Sequence, residues 1–316
     1  MENKKEENIR KKEENLKDTI INNTNIPNPE IVTTKDDLFL HSCSEIENFF
    51  ANITENNTKR RHIGCEYNVN SDTKISVCTI GTRKFSLKTS QYNLKKTDSI
   101  YFCNDCLFSY SENISYERHK LKCDKEVPGR FLIYKENNLH IYKIFGYSNI
   151  SYCQNLCILG KCFISHKTLF WDIDNYNFYV LYDEDNFIGF FSEEVLNKEN
   201  NLSCIVILPD CQKKGYGTLL VDLSFFLKKG TCERPLSSEG EVLYNKYWKA
   251  KVYNFLERNN GKEYSINDIS QKLNMTPDDV SNTLKLLNCN TDDSFISLKS
   301  WKASKIRLIK KEYILQ

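Results

Sequence analysis

The strongest constraint on this chain is a set of four metal-ligand side chains at fixed spacing: Cys103-x2-Cys106, twelve residues, then His119-x3-Cys123. This is the ligand pattern of a Cys-Cys-His-Cys zinc site. Cys103 and Cys106 fall on a tight knuckle behind the apolar run Ile100-Tyr101-Phe102, and His119 and Cys123 are expected on one face of a helix beginning near Ser111. Three thiolates and one imidazole, with no spare carboxylate or water position, suit a closed structural site rather than a catalytic one. Bound zinc would contribute on the order of 10 kcal/mol to folding this segment. The rival account is core cysteines meeting at this spacing by chance. Arg118, Lys120 and Lys122 beside the ligands could touch phosphate, but a single finger binds DNA weakly.

Composition supports the metal reading. Thirteen cysteines, an odd number, stand in 316 residues, and Met1 to Lys17 is charged rather than basic-then-apolar, so no export signal is visible. A disulfide framework is therefore not expected, and a cytoplasmic or nuclear chain with reduced or metal-bound thiols is. Mean hydropathy is -0.55, and no apolar run reaches the roughly 18 residues of a spanning helix, so no membrane partner is expected. Lysine and arginine number 44 against 42 acidic residues, which excludes wholesale coating of nucleic acid but leaves local patches. Residues 1–34 carry cancelling charges and almost no aromatics, and read as a disordered tail. Residues 35–79 have no assignable role. They hold a weak amphipathic pattern (Leu38, Leu40, Ile46, Phe49, Phe50, Ile53) and the patch Lys59, Arg60, Arg61, His62, either a solvated loop or a contact with nucleic acid or acidic protein.

From Ile141 the chain reads as strands: Ile141–Phe145, Leu169–Ile173, Phe178–Tyr182 and Phe187–Phe191, the last two joined by the turn Asp183 to Asn186. A helix over Ser151–Phe163 carries Leu156, Cys157 and Leu159 as a candidate buried stripe. Leu202–Leu208, apolar throughout except Ser203, reads as a buried central strand. Directly after it come Gln212-Lys213-Lys214-Gly215-Tyr216-Gly217-Thr218 and the stripe Leu219, Leu220, Leu223, Phe226, Leu227. Strand, glycine turn and helix N-terminus flanked by lysines make a place for pyrophosphate. By itself, however, Gly-x-Gly fits an ordinary tight turn equally well, and neither a Walker loop nor a dinucleotide fingerprint is present.

Taken in order, these motifs resemble the MYST family of histone acetyltransferases, over about residues 80 to 290. The match is carried by the zinc module, Tyr152-Cys153-Gln154-Asn155-Leu156-Cys157, His166-Lys167-Thr168-Leu169, Gln212 through Gly217, and Glu233-Arg234-Pro235-Leu236-Ser237. The resemblance implies an α+β chain. Its parts would be a GNAT-like core with a mixed β-sheet around acetyl-coenzyme A, a zinc finger (101–126) on one side, and a winged-helix-like C-terminal lobe (241–316). The core would span 127–240 and the whole transferase domain 80–316. It further implies Glu233 as general base, Cys204 at the reaction centre, Lys167 as an acetylated lysine, and the main chain of Ile205, Val206 and Ile207 along the pantetheine arm. Gln212, Lys213, Lys214, Gly215, Tyr216, Gly217 and Thr218 would hold the pyrophosphate, with Ser237 as a further coenzyme contact.

The chemistry explains why such a site needs a carboxylate. A lysine side chain of pKa near 10.4 is neutral in only about one copy in 2,500 at pH 7, a handicap of roughly 4.6 kcal/mol, and a base must take its proton. Cys204 could be acylated as a relay or simply line the pocket while the amine attacks directly, and direct attack is the favoured account, with backbone N–H near Cys204 polarising the thioester carbonyl. Lys167 could be a surface lysine or a buried, acetylated one. Several positions depart from the family pattern: Thr218 stands where a second basic residue is usual, Cys211 replaces an aromatic, Cys232 a proline, Glu239 and Glu241 apolar residues, and Lys246 a small polar residue near the coenzyme.

Beyond the core, Leu243–Glu257 has helical spacing, and two capped helices follow, from Ser265 and from Thr276-Pro277. Strands at Phe295–Leu298 and Ile306–Ile309 would complete a winged helix. Lys302, Lys305, Arg307, Lys310 and Lys311 make this end basic, either as a packing lobe walling the substrate groove or as a weak direct contact with DNA. The expected function is nuclear transfer of acetyl from acetyl-coenzyme A to core-histone tails, within a multiprotein complex that supplies targeting. The alternatives are an enzyme acting mainly on non-histone lysines and a decayed, non-catalytic chromatin adaptor.

Overall fold

A computed structural model describes residues 76–87, 98–124, 127, 129–164, 167, 172–259, 262–289 and 306–315. The charged stretch 1–34, the amphipathic pattern and basic patch before residue 63, His166, Thr168, Leu169, the strand expected at Phe295–Leu298, Lys302 and Lys305 lie outside the described residues. The chain is α+β.

The zinc-ligand pattern sits on a small sheet of its own. Its strands are β1 (Val77–Ile80), β2 (Arg83–Ser86), β3 (Ser99–Phe102) and β4 (Ser109–Tyr110), in the order β2-β1-β3-β4, followed by helix α1 (Asn113–Lys120). Alternation buries Cys78 and Ile80 on β1 and Ile100 and Phe102 on β3. The Tyr116 hydroxyl donates to the Gly81 carbonyl at 2.9 Å and fastens α1 to the β1–β2 turn. The helix stops at Lys120, so His119 is helical but Cys123 is not, which corrects the expectation that both share a helical face. Tyr116 is the only residue α1 buries, so packing does not sustain a further turn; instead the Lys122 amide donates to the His119 carbonyl and the chain reverses, carrying Cys123 back to the knuckle.

The main sheet contains β5 (Arg130–Glu136), β6 (Leu139–Phe145), β7 (Tyr176–Asp183), β8 (Asn186–Glu194) and, beyond β9 (Asn200–Leu202), the strand β10 (Cys204–Ile207). Its order is β10-β8-β7-β6-β5 and every pairing in it is antiparallel. The expected single mixed sheet is thereby corrected. Two-residue turns at Asn137-Asn138 and Glu184-Asp185 join neighbours, and such turns admit only antiparallel strands. Parallel pairing occurs elsewhere, between β1 and β3 and between β9 and β11 (Thr231–Cys232). Of the strand expected at Leu169–Ile173 only residues 172 and 173 are described, and neither is in a strand.

Helix α2 (Ile150–Phe163) buries ten of its fourteen residues, far more than the expected stripe, and it touches β10. The run Leu202–Leu208 is not one central strand. It breaks at Ser203 into β9, which turns to pair with β11, and β10, which closes one edge of the main sheet. Gly189 permits this junction: a Cβ there would stand 2.2 Å from the Val206 carbonyl oxygen.

Helix α3 (Tyr216–Leu227) follows β10, and α4 (Ser238–Arg258) follows β11. The Ser237 hydroxyl accepts from the Gly240 amide at 3.0 Å, so α4 begins five residues before the expected Leu243. Ser265 and Asp268 form a capping box on α5 (Ile266–Leu273), and Thr276 caps α6 (Pro277–Leu286), as their sequence signals predict. No strand forms at Ile306–Ile309, where one was expected. The Ile309 amide is claimed by the buried Asp222 of α3 at 3.0 Å, alongside the Tyr247 hydroxyl at 2.8 Å and the Lys251 ammonium at 2.7 Å. The segment then runs along β5, where the Leu315 amide donates to the Ile133 carbonyl at 2.9 Å.

Candidate active site

The break between β9 and β10 is where the expected reaction-centre residues meet. Cys204 opens β10, while Glu233 immediately follows β11 and donates its amide to the Leu202 carbonyl at 2.9 Å. That bond fixes the exposed Glu233 to the residue two before Cys204, and its carboxylate bears on both Cys204 and Tyr176. Lys167, only 6% exposed, lies after α2 and reaches the thiols of Cys204 and Cys157. Gly160 makes room for it, since a Cβ there would meet the Lys167 Cδ at 3.1 Å. Cys157 was marked in the sequence only as part of a buried stripe, and Tyr176, two residues ahead of the expected strand Phe178–Tyr182, was not marked.

Burial pushes the Cys204 thiol up, against a downward pull from Lys167, so at neutral pH it is a thiol and not a thiolate. Cys157 is pushed up to about 11, again by burial first. Lys167 is pushed down by burial and, on balance, up by these two cysteines. That upward pull requires thiolates, which neutral pH does not supply, so the ammonium is buried with little compensating charge from the sulfurs. Tyr176 is held up at about 12 by burial and by the carboxylates of Glu194 and Glu233.

The glycine turn lies at the far end of β10. Gln212 Nε2 donates to the Ile207 carbonyl at 3.1 Å, and Lys213 and Gly215 take left-handed backbone (φ 61° and 88°). Gly215 is the N-cap of α3 and offers no side chain, so the first amides of the helix remain open to an anion. Thr218 turns its hydroxyl back to the Gly215 carbonyl at 2.9 Å. A cleft of about 440 Å³ opens here, lined by Lys213, Lys214, Gly215, Thr218, Lys246, Ile306 and Arg307. Uncapped amides, flanking cations and an edge strand leading to the reaction centre fit the phosphates and amide arm of a coenzyme A thioester. Ser237, expected as a further coenzyme contact, caps α4 by accepting from the Gly240 amide.

Across the Glu233 turn, a second cavity of about 610 Å³ is lined by Arg234, Pro235, Glu241, Trp248 and Asp279, among others. Arg234 pairs with the buried Asp279 at 3.0 Å, tying the turn to α6.

At the N-terminal module, Cys103, Cys106, His119 and Cys123 bring their ligand atoms within 4.8 Å of one another. The Cys103–Cys123 sulfur distance is 3.7 Å, close to the edge of about 3.8 Å that a tetrahedron of 2.3 Å zinc–sulfur bonds requires. Cys103 ionises first, steadied chiefly by the Cys106 thiol, and the same contact pushes Cys106 up, so a second thiolate needs a cation beside it. The four donors fit a zinc ion.

A sequence model described as the MOZ/SAS family matches residues 126–314. The chain belongs to this family. Among its curated relatives, a Caenorhabditis elegans protein named histone acetyltransferase Tip60 homolog is 39% identical over 209 residues, covering 62% of this chain and 46% of that protein. Human histone acetyltransferase KAT6A is 36% identical over 210 residues, covering 62% of this chain and 10% of KAT6A. Histone acetyltransferase SAS3 of Saccharomyces cerevisiae is 35% identical over 221 residues, covering 60% and 27%. This MOZ/SAS chain thus spans less than half the length of these relatives. The family match takes in Lys167, Cys204, the glycine turn, Glu233 and Arg307, while the metal-ligand cluster lies just ahead of it.

Proposed function

We propose that this chain is a protein-lysine acetyltransferase that takes acetyl from acetyl-coenzyme A and delivers it to lysines of core-histone tails. The observation that carries this is the convergence of Glu233, Cys204 and Lys167 at one end of the edge strand β10, with the open N-terminus of α3 at the other. Acetyl-coenzyme A supplies the activated thioester. Glu233 takes the proton of the substrate ammonium, and backbone N–H near Cys204 polarises the thioester carbonyl. The main chain of Ile205, Val206 and Ile207 runs along the pantetheine arm, and Gln212 to Thr218 cradle the pyrophosphate. Because the Cys204 thiol is held protonated by burial, it lines the pocket and the amine attacks directly. Lys167 is the acetylated lysine: acetylation removes a charge that its burial penalises.

On this reading residues 80–316 form the transferase domain: a zinc-braced finger at 101–126, a GNAT-like core at 127–240 and a C-terminal lobe from 241. That lobe packs through Asp222, which accepts from Tyr247, Lys251 and Ile309, and walls the substrate groove. The protein works in the nucleus, as a subunit of a larger complex. Zinc-loaded chain, labelled acetyl-coenzyme A and core-histone peptides test the reading. Label should move to histone lysines, and an absence of transfer to any histone or other protein substrate would leave a non-catalytic adaptor in its place.

A further inference from the structure

The cleft at the start of α3 gathers four cations from three separate segments: Lys213 and Lys214 from the turn, Lys246 from α4 and Arg307 from the C-terminal segment. Its lining contains no carboxylate. Among the described residues, no ion pair joins Lys213, Lys214 or Lys246 to an acid. Arg307 does touch the buried Glu136, at 3.6 Å, but Glu136 also receives the Lys310 ammonium and, at 2.9 Å, the Tyr134 hydroxyl. A guanidinium has five N–H donors, so one long contact leaves donors for a second anion.

Arg307 is also wedged against the turn. A Cβ on Gly215 would lie 2.8 Å from the Arg307 Cβ, and the guanidinium stands 5.3 Å from the centre of the Tyr216 ring. Thr218, on the first turn of α3 and in the same cleft, brings no charge, and its hydroxyl is spent on the Gly215 carbonyl. Four like charges around one cleft, with only Arg307 partly neutralised by Glu136, raise the energy of the empty cleft, and a polyanion relieves that cost.

We propose that Lys246 and Arg307 are phosphate-binding residues for coenzyme A, supplying from α4 and the C-terminal segment the positive charge that Thr218 does not supply from the helix itself. The inference rests on the acetyltransferase reading, whose coenzyme it takes as the ligand. It gives the C-terminal segment a function beyond packing, because residue 307 closes the coenzyme site from a distance of some ninety positions along the chain.

Titration calorimetry on the full zinc-loaded chain, with coenzyme A and with 3′-dephospho-coenzyme A, tests this. Lys246→Ala and Arg307→Gln should each weaken coenzyme A binding about tenfold, the usual worth of one charge-assisted contact. Lys246 is exposed, so Lys246→Ala and the charge-reversed Lys246→Glu should keep the wild-type melting temperature while losing affinity, Lys246→Glu the more. Equal weakening for both ligands places the cations on the diphosphate, and weakening confined to coenzyme A places them on the 3′-phosphate; either supports the inference. Wild-type affinity in Lys246→Ala, Lys246→Glu and Arg307→Gln would overturn it and leave the transferase reading intact. A wild-type chain that does not bind coenzyme A would overturn the reading on which it rests, and the inference with it.

Discussion

Residues of one chemical type divide by surroundings. Cys103, Cys106 and Cys123 cluster with an imidazole, whereas Cys157 is buried and Cys204 half-buried beside it, in surroundings that keep both thiols protonated. A protonated thiol is a poor acyl acceptor. Cys204→Ser should therefore retain transfer within about tenfold of wild type, measured with saturating acetyl-coenzyme A; a loss of roughly a thousandfold or more would require a covalent relay. Alkylation of Cys204 should still be accelerating above pH 9, since its thiol titrates above the ordinary value. Glu233 was legible in the sequence because it lies inside a long motif, and Cys204 because the resemblance places the cysteine of the apolar run Leu202–Leu208 at the reaction centre. Cys157 lies inside a motif too but read only as part of a buried stripe, and Tyr176 and Arg307 reach the site from elements whose local pattern speaks only of burial or charge.

Elements place these residues, and their junctions carry the strain and the polar contacts. β10 lies against β8 only because Gly189 has no side chain, so Gly189→Ala should lower stability by about 1–3 kcal/mol and disturb Cys204 more than the distant zinc module. Thermal melts with thiol accessibility at Cys204 would check both parts. Asp222 gathers three donors from two segments, α4 and the C-terminal stretch, and Asp222→Ala leaves the Lys251 ammonium and the Ile309 amide without their partner. A cost of about 3 kcal/mol is expected, with faster hydrogen exchange at Ile309. The helix caps at Ser265 and Thr276 were readable because capping is local chemistry. The split at Ser203 and the lack of a strand at Ile306–Ile309 were not, since the partners that decide them, β11 and Asp222, are distant in sequence.

At the scale of the whole molecule, near-zero net charge conceals a division of labour. The basic C-terminal end is spent partly on Glu136 and partly on the coenzyme cleft. In the N-terminal module the sheet has its own buried residues, Cys78, Ile80, Ile100 and Phe102, but α1 buries only Tyr116, so a metal held by the four ligands would fix the helix and the knuckle. Chelation should therefore unfold this module first, with release of about one zinc per chain and a loss on the order of 10 kcal/mol of local folding energy. Circular dichroism and a zinc-release dye, followed together, would show it; a module that keeps its fold after chelation would make the cluster incidental.

The central claim is that the carboxylate beside the β9–β10 break removes the substrate proton. The direct measurement is the single-turnover rate of acetyl transfer to a histone peptide by wild type and by Glu233→Gln, across pH 6 to 9 with bound coenzyme confirmed. The account predicts a loss of about 10²–10⁴-fold in Glu233→Gln near neutral pH, narrowing as rising pH deprotonates the amine without help. Equal rates at neutral pH, with Glu233→Gln folded and loaded, would contradict it.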